Sequence, residues 1–373
     1  MRRRVCIIGA GPGGLAAARR LRERAADALE IVVIERDGTA EFLAGTIATA
    51  LGEAPPNHWR TPVRLRGIEV LKTRAQQVSG QGVVLADGRT LEADAVIAAP
   101  GLHLDLEAVP QQPNLFAFWS PSTARAAHEP IAQLHSGHVV IVIAGLPYRC
   151  PPAPYSLAMQ LAAFYRRQQR DVQITLTTPE PVPLASLEHG IPEFLLHACA
   201  TSGVDVVLNR QPDWSASTDR QITFTDGARL SYDLALVIPP HTRSPLLTSL
   251  PDDGVLVTVN EQFESVQSGL FVVGDAARTL LPRAAGAATA QGMTAADAIL
   301  DRFGLARYSG PHLPAPECYI GHGEGRYSRI TIRFPNGLPP VGQPEIQREG
   351  PSAKLAAGFA RVFDEWRALR TEL

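Results

Sequence analysis

The run Arg4-Val5-Cys6-Ile7-Ile8-Gly9-Ala10-Gly11-Pro12-Gly13-Gly14 passes from a short apolar strand straight into a glycine turn. Leu15 to Arg24 follows as a helix, and Ile31-Val32-Val33-Ile34-Glu35 as a second strand. Strand, Gly-x-Gly-x-x-Gly, helix, strand is the plan of a dinucleotide-binding unit. The glycines serve the tight turn, the close approach of backbone to a pyrophosphate, and the contact of helix with strand. Gly9, Gly11, Pro12, Gly13 and Gly14 are therefore read as a phosphate cradle. Glu35, 21 residues past Gly14, stands where a carboxylate binds ribose hydroxyls, with Arg36 beside it.

Two more segments fit the rest of an FAD-binding domain. Glu92 to Gly101 is a buried strand ending in the turn Ala99-Pro100-Gly101, and Ser268 to Asp275 is another, with Gly274-Asp275 at its end. A carboxylate at Asp275 is placed to accept a hydrogen bond from a ribityl hydroxyl. The helix expected from Ala285 to Leu300 would aim its positive N-terminus at the isoalloxazine edge that turns anionic on reduction.

The pattern then repeats. Gly67 to Leu71, a hairpin at Asp87-Gly88 and Ala93 to Pro100 recur as Gly203 to Val207, a hairpin at Asp226-Gly227 and Tyr232 to Pro240. The same offset carries Gly9 onto Gly145. The fold class is α/β: two Rossmann-like dinucleotide-binding domains, the second inserted in the first, plus a small C-terminal region. The expected divisions are 1–105 and 244–308 for the FAD domain, 106–243 for the inserted domain, and 309–373 for the remainder.

The second copy has lost its phosphate loop. Gly145-Leu146-Pro147-Tyr148-Arg149-Cys150-Pro151-Pro152-Ala153-Pro154-Tyr155 sets proline and side chains where backbone would meet phosphate. Its ribose position falls near Thr177-Thr178, with no carboxylate before Glu180. NAD(P)H is thus an unsuited reductant, and a thiol stands where the nucleotide would lie.

Length and composition fit this plan: 373 residues, 45% hydrophobic and 19% charged, with 35 basic and 37 acidic residues, suit a globular core and give no basic footprint for nucleic acid. The basic start Met1-Arg2-Arg3-Arg4 leads into a strand broken at Gly9, not into the apolar stretch and cleavage site of a signal peptide. A cytoplasmic location is expected, free or on the inner face of the plasma membrane. Four cysteines are too few for a secreted disulfide scaffold. Cys6 and Cys199 lie in apolar runs and read as core. Cys150 and Cys318 lie in polar or proline-rich loops, and Arg149 would favour the Cys150 thiolate. Two unrelated loop thiols remain an alternative, and no residues have metal-ligand spacing.

Gly9 to Gly14, Arg149-Cys150-Pro151-Pro152-Ala153-Pro154-Tyr155, Gly274-Asp275-Ala276-Ala277 and the block around Cys318 together resemble the sulfide:quinone oxidoreductase and flavocytochrome c sulfide dehydrogenase flavoprotein family. The resemblance implies non-covalent FAD, since the loop Glu41 to Thr46 has no cysteine to tether it. It implies that Cys150 and Cys318 meet beside the flavin as a disulfide or polysulfide bridge, that sulfide is the substrate, and that electrons pass to a quinone or to cytochrome c. Ser156 replaces the acidic residue common in the family after this segment, so Glu317 is the nearest candidate for proton handling. There is no third cysteine between Cys6 and Cys150, as in the flavocytochrome branch.

The tail places Leu355, Phe359, Val362, Phe363, Trp366 and Leu369 on one helical face. Residues 352–373 would either lie on a membrane beside a quinone channel, with Phe334 and Tyr319 as ring-lining aromatics, or cover the flavin domain. Three other functions share the sequence features: a flavin subunit donating to a separate cytochrome c, a type II NADH dehydrogenase, and a redox sensor without turnover.

Overall fold

The computed structural model describes residues 2–25, 27–184, 190–251, 254–338 and 342–371. Strand β1 (Arg3–Ile8) and helix α1 (Pro12–Ala25) are followed by β2 (Leu29–Glu35), β3 (Glu69–Lys72) and β4 (Ala95–Ala98). Val5 to Ile8 and Ala95 to Ala98 are buried without alternation. That is the pattern of parallel strands covered on both faces.

The chain then builds a second sheet from β5 (Leu115–Ala117), β6 (Ser136–Ile143), β7 (Asp171–Thr177), β8 (Val204–Val207) and β9 (Leu234–Ile238). Helices α2 (Pro121–Gln133), α3 (Ala153–Arg167) and α4 (Ile191–Thr201) connect them. It returns to the first sheet with β10 (Leu270–Val272) and α5 (Ala285–Arg302). The first sheet runs β10-β4-β1-β2-β3 and the second β5-β9-β6-β7-β8. Strand by strand these are the same parallel order, so the internal repeat is a repeat of architecture. The edge strand alone is exchanged: it is last in the chain for the first sheet and first for the second. The two connections between sheets pair with each other, His103 opposite Thr242 and Leu104 opposite His241.

Three antiparallel strands follow: β11 (Glu317–Gly323), β12 (Arg326–Arg333) and β13 (Glu345–Ser352). Ile320, Ile330 and Ile332 pack into the same core as Tyr155, Leu157 and Leu161 of α3. Ser156 fastens the two elements, its Oγ accepting from the Gly321 N–H at 2.8 Å. Cys318 therefore sits in a strand, not in a loop. Glu-Cys-Tyr-Ile-Gly-His-Gly lacks strand propensity, and packing against α3 overrides that weakness.

The last helix, α6 (Ala356–Thr371), lies on the first domain. Phe363 and Trp366 are buried against Phe42, at ring distances of 5.0 and 5.3 Å, and Phe363 is 4.8 Å from Trp59. These two members of the apolar face cover the protein's own core. Phe334 is buried in the core under the C-terminal sheet. Tyr319 faces Phe359 and donates to Glu317. Among the described residues, no helix is long and apolar enough to cross a membrane.

Candidate flavin and dithiol site

The glycine cradle has the geometry its spacing calls for. Gly9 has φ +90, and a Cβ on it would lie 2.5 Å from the Ala99 carbonyl oxygen. A Cβ on Gly14 would lie 2.0 Å from the Gly9 oxygen, whereas one on Gly11 would meet nothing within 4 Å. Turn and packing thus need Gly9 and Gly14, and the space over Gly11 is open to a phosphate. Pro12 opens α1, where its missing N–H costs nothing. Gly13 packs against the Ala288 carbonyl of α5. Ala99 closes the turn by donating to Ile8 O at 2.8 Å, and Gly101 has φ +67.

Glu35 ends β2, and its Oε2 accepts from Ala10 N at 2.7 Å. Burial raises its carboxyl above the usual range. Arg36 is turned outward and pairs with Asp37 at 3.1 Å. Arg370, in the last turn of α6, is buried over the Trp366 ring at 3.6 Å and feels the Glu35 charge. No local pattern in the chain signals that the tail reaches the Glu35 end of the cradle.

The other half of the cleft holds charge. Gly274 has φ +77, and its N–H donates to Gln291 Oε1 at 2.6 Å, which fixes the turn after β10. Asp275 follows; burial raises its carboxyl while Arg149 and Arg283 pull it down. Arg283 Nε is buried without a partner among the described residues. Ala285 starts α5 with no side-chain cap and no acid in its first turn. Its leading amides and the field of α5 are left for a ligand. Glycine cradle, ribose carboxylate, Asp275 and uncapped α5 fit an FAD from its adenosine to its ring. FAD when bound supplies a two-electron acceptor; the cradle, Glu35 and Asp275 would hold it, and α5 would face its ring.

The thiols converge on the same place. Cys150 N donates to Arg283 O at 3.3 Å, just ahead of α5. Pro316, two residues before Cys318, touches the first turn of α5: a Cβ on Gly286 would lie 2.9 Å from its Cα. Cys318 is half-buried; burial first and the neighbouring Cys150 second push its thiol up to about 12. Cys150 is open to solvent yet deep in the cleft. Desolvation, then Asp275, push it up to about 11 against the opposing field of Arg149. Arg149 does not make a standing thiolate here. Its guanidinium instead donates to the Trp119 carbonyl, and Trp119 Nε1 donates back to Arg149 O at 3.1 Å. Cys6 and Cys199 are fully buried, as their apolar runs imply.

Glu317 is engaged by cations, while its charge also reaches the Cys318 thiol. Adjacent strand residues face opposite ways, and its carboxylate is held by Arg329 at 3.3 Å, Arg361 at 3.6 Å and the Tyr319 hydroxyl at 3.0 Å. Ser156 binds Gly321 and Gln160 and faces no cleft. Sequence reasoning missed Trp119, Arg283 and His241, none of which belongs to a local pattern.

A two-sheet fold with one intact glycine cradle, one filled one and a pair of thiols between them defines an FAD-dependent oxidoreductase of two dinucleotide-binding-type domains. The chain belongs to the pyridine nucleotide-disulphide oxidoreductase family, whose model matches residues 3–292. It is similar in structure to the sulfide:quinone oxidoreductase of the hyperthermophilic bacterium Aquifex aeolicus, with TM-score 0.82 and 19% identity over 99% of this chain and 91% of that one. A ferredoxin reductase from Rhodopseudomonas palustris (TM-score 0.66, 17% identity) is matched over 90% of this chain and 83% of that one. An NAD-dependent persulfide reductase from A. fulgidus (TM-score 0.63, 16% identity) is matched over 97% and 77%.

Proposed function

We propose that the protein oxidises sulfide through a Cys150–Cys318 redox pair and passes the electrons, by way of FAD, to a quinone. The observation that carries this reading is the convergence of both thiol-bearing segments on the start of α5, where Cys150 N donates to the Arg283 carbonyl and Pro316 packs on Gly286, with the Cys318 thiol feeling Cys150. Hydrosulfide adds to one sulfur of the disulfide and the S–S bond breaks, leaving one persulfide and one thiolate. Re-forming the disulfide with release of one sulfur atom gives up one proton and two electrons, and the electrons go to FAD. Raised thiol values suit the resting state, because a disulfide carries no charge into this desolvated cleft.

A pyridine nucleotide is disfavoured as reductant, because Tyr148 fills the second cradle and is buried to 3% exposure. Cytochrome c is the second reading for the acceptor, and decylubiquinone against cytochrome c in the same assay separates them. The location proposed is cytoplasmic, and flotation with anionic vesicles tests a peripheral contact through residues 352–373. Anaerobic sulfide titration of wild type, Cys150→Ser and Cys318→Ser tests the chemistry. Flavin bleaching in wild type alone is expected; bleaching at the wild-type rate in either variant removes the disulfide from the reaction.

A further inference from the structure

The second sheet has a carboxylate, Glu180, just past the end of the strand that corresponds to the one Glu35 ends. Ile8 pairs with Ile34, so one further step sets Gly9 opposite Glu35. Val142 pairs with Thr177, the last residue of β7, and Glu180 follows three residues beyond that strand end. Glu180 is the carboxylate that follows the end of β7, as Glu35 is the carboxylate that ends β2.

This carboxylate has been taken over from within. Glu180 is 8% exposed. Its Oε2 accepts from the hydroxyls of Tyr148 at 3.0 Å, Tyr155 at 3.1 Å and Thr178 at 3.1 Å. Its Oε1 accepts from Leu184 N at 3.1 Å. Four donors on two oxygens are what a buried carboxylate without a cation requires. Burial and the Glu180 charge raise both tyrosine hydroxyls, so they remain donors.

Tyr148 and Tyr155 bracket Cys150. Cys150 has φ +54, a left-handed backbone that disfavours a residue with a Cβ. Such a conformation persists where the surroundings over-determine it. Here the Glu180 bonds hold the loop on one side, and the Arg149–Trp119 pair and the Arg283 carbonyl hold it on the other.

From this geometry we infer that Glu180 is a positioning residue: a carboxylate just past the end of β7 pins Tyr148 and Tyr155, and so fixes Cys150 in the cleft. The inference rests on the dithiol reading for its purpose, but its test uses no sulfide. In a Cys318→Ser background, Cys150 is the accessible thiol, since Cys6 and Cys199 are 0% exposed. The iodoacetamide alkylation rate of Cys150 is measured against pH, together with FAD content and melting temperature. In Glu180→Ala and Tyr148→Phe the loop leaves the cleft wall. Its rate at about pH 8 then rises about tenfold or more, and the profile midpoint falls toward the ordinary cysteine value. Rates and midpoint like the parent's overturn the inference, even where the melting temperature drops. Should Glu180→Ala fail to fold, the isosteric Tyr148→Phe and Tyr155→Phe decide by the same criterion. A wild-type flavin that sulfide cannot bleach would end the sulfide reading and leave this result standing.

Discussion

Replacing His241 with asparagine is expected to remove a large part of the protein's acid sensitivity. The imidazole is 2% exposed, its Nδ1–H donates to Pro239 O at 2.9 Å, and Nε2 is buried without a partner among the described residues. Burial first and Arg149 next, then Arg283, resist a second proton, and the ring's value is pulled down to about 3. The unfolded chain protonates the same ring near pH 6.5. The folded value lies below the unfolded one. Stability from this group is therefore complete above about pH 6.5 and falls as pH drops from there toward 3. Between about pH 7.5 and pH 5 the loss amounts to about 2 kcal/mol. The assay is urea unfolding of the FAD-loaded wild type and His241→Asn across that range, with other titrating groups cancelling in the difference. The gap between the two should close, or reverse, by about 2 kcal/mol toward acid. Curves that stay parallel to within about 0.5 kcal/mol would refute the placement of a neutral imidazole between two guanidinium groups.

Three further substitutions probe the supports of the site. Ser156→Ala strands the Gly321 N–H and the Gln160 amide beneath the Cys318 strand; a loss of about 1–3 kcal/mol is expected in thermal or urea unfolding. Gly292→Ala would put a Cβ 2.0 Å from the Gly13 oxygen. Forcing α1 and α5 apart should cost about 1–3 kcal/mol, with a lower flavin-to-protein absorbance ratio. Trp366→Ala should cost about 3–5 kcal/mol if α6 belongs to the core of the first domain; an unchanged melting temperature with weakened vesicle binding would return that helix to the lipid.

The first sheet could be read from local residues because each carries its own reason: glycines where a Cβ collides, and apolar runs where both faces are covered. The second sheet could be read by repetition, and its filled cradle by the proline and tyrosine at Pro147 and Tyr148. What stayed hidden depends on contacts between distant segments. Glu180 looks idle until the tyrosines fold onto it, and Arg149 reads as a thiolate promoter until Asp275 and burial are added. Glu317 reads as a free carboxylate until Arg329 and Arg361 fold against it. The three C-terminal strands leave little trace, since glycines at 321 and 323 obscure them and α3 supplies their order.

The meeting of Cys150 and Cys318 is tested most directly by peptide mapping of the mildly oxidised protein. Under non-reducing conditions, alkylated before digestion, the 150- and 318-bearing peptides should run as one linked species, absent after reduction and absent in Cys318→Ser. Recovery of both cysteines as separate alkylated peptides from the oxidised, folded protein would contradict it.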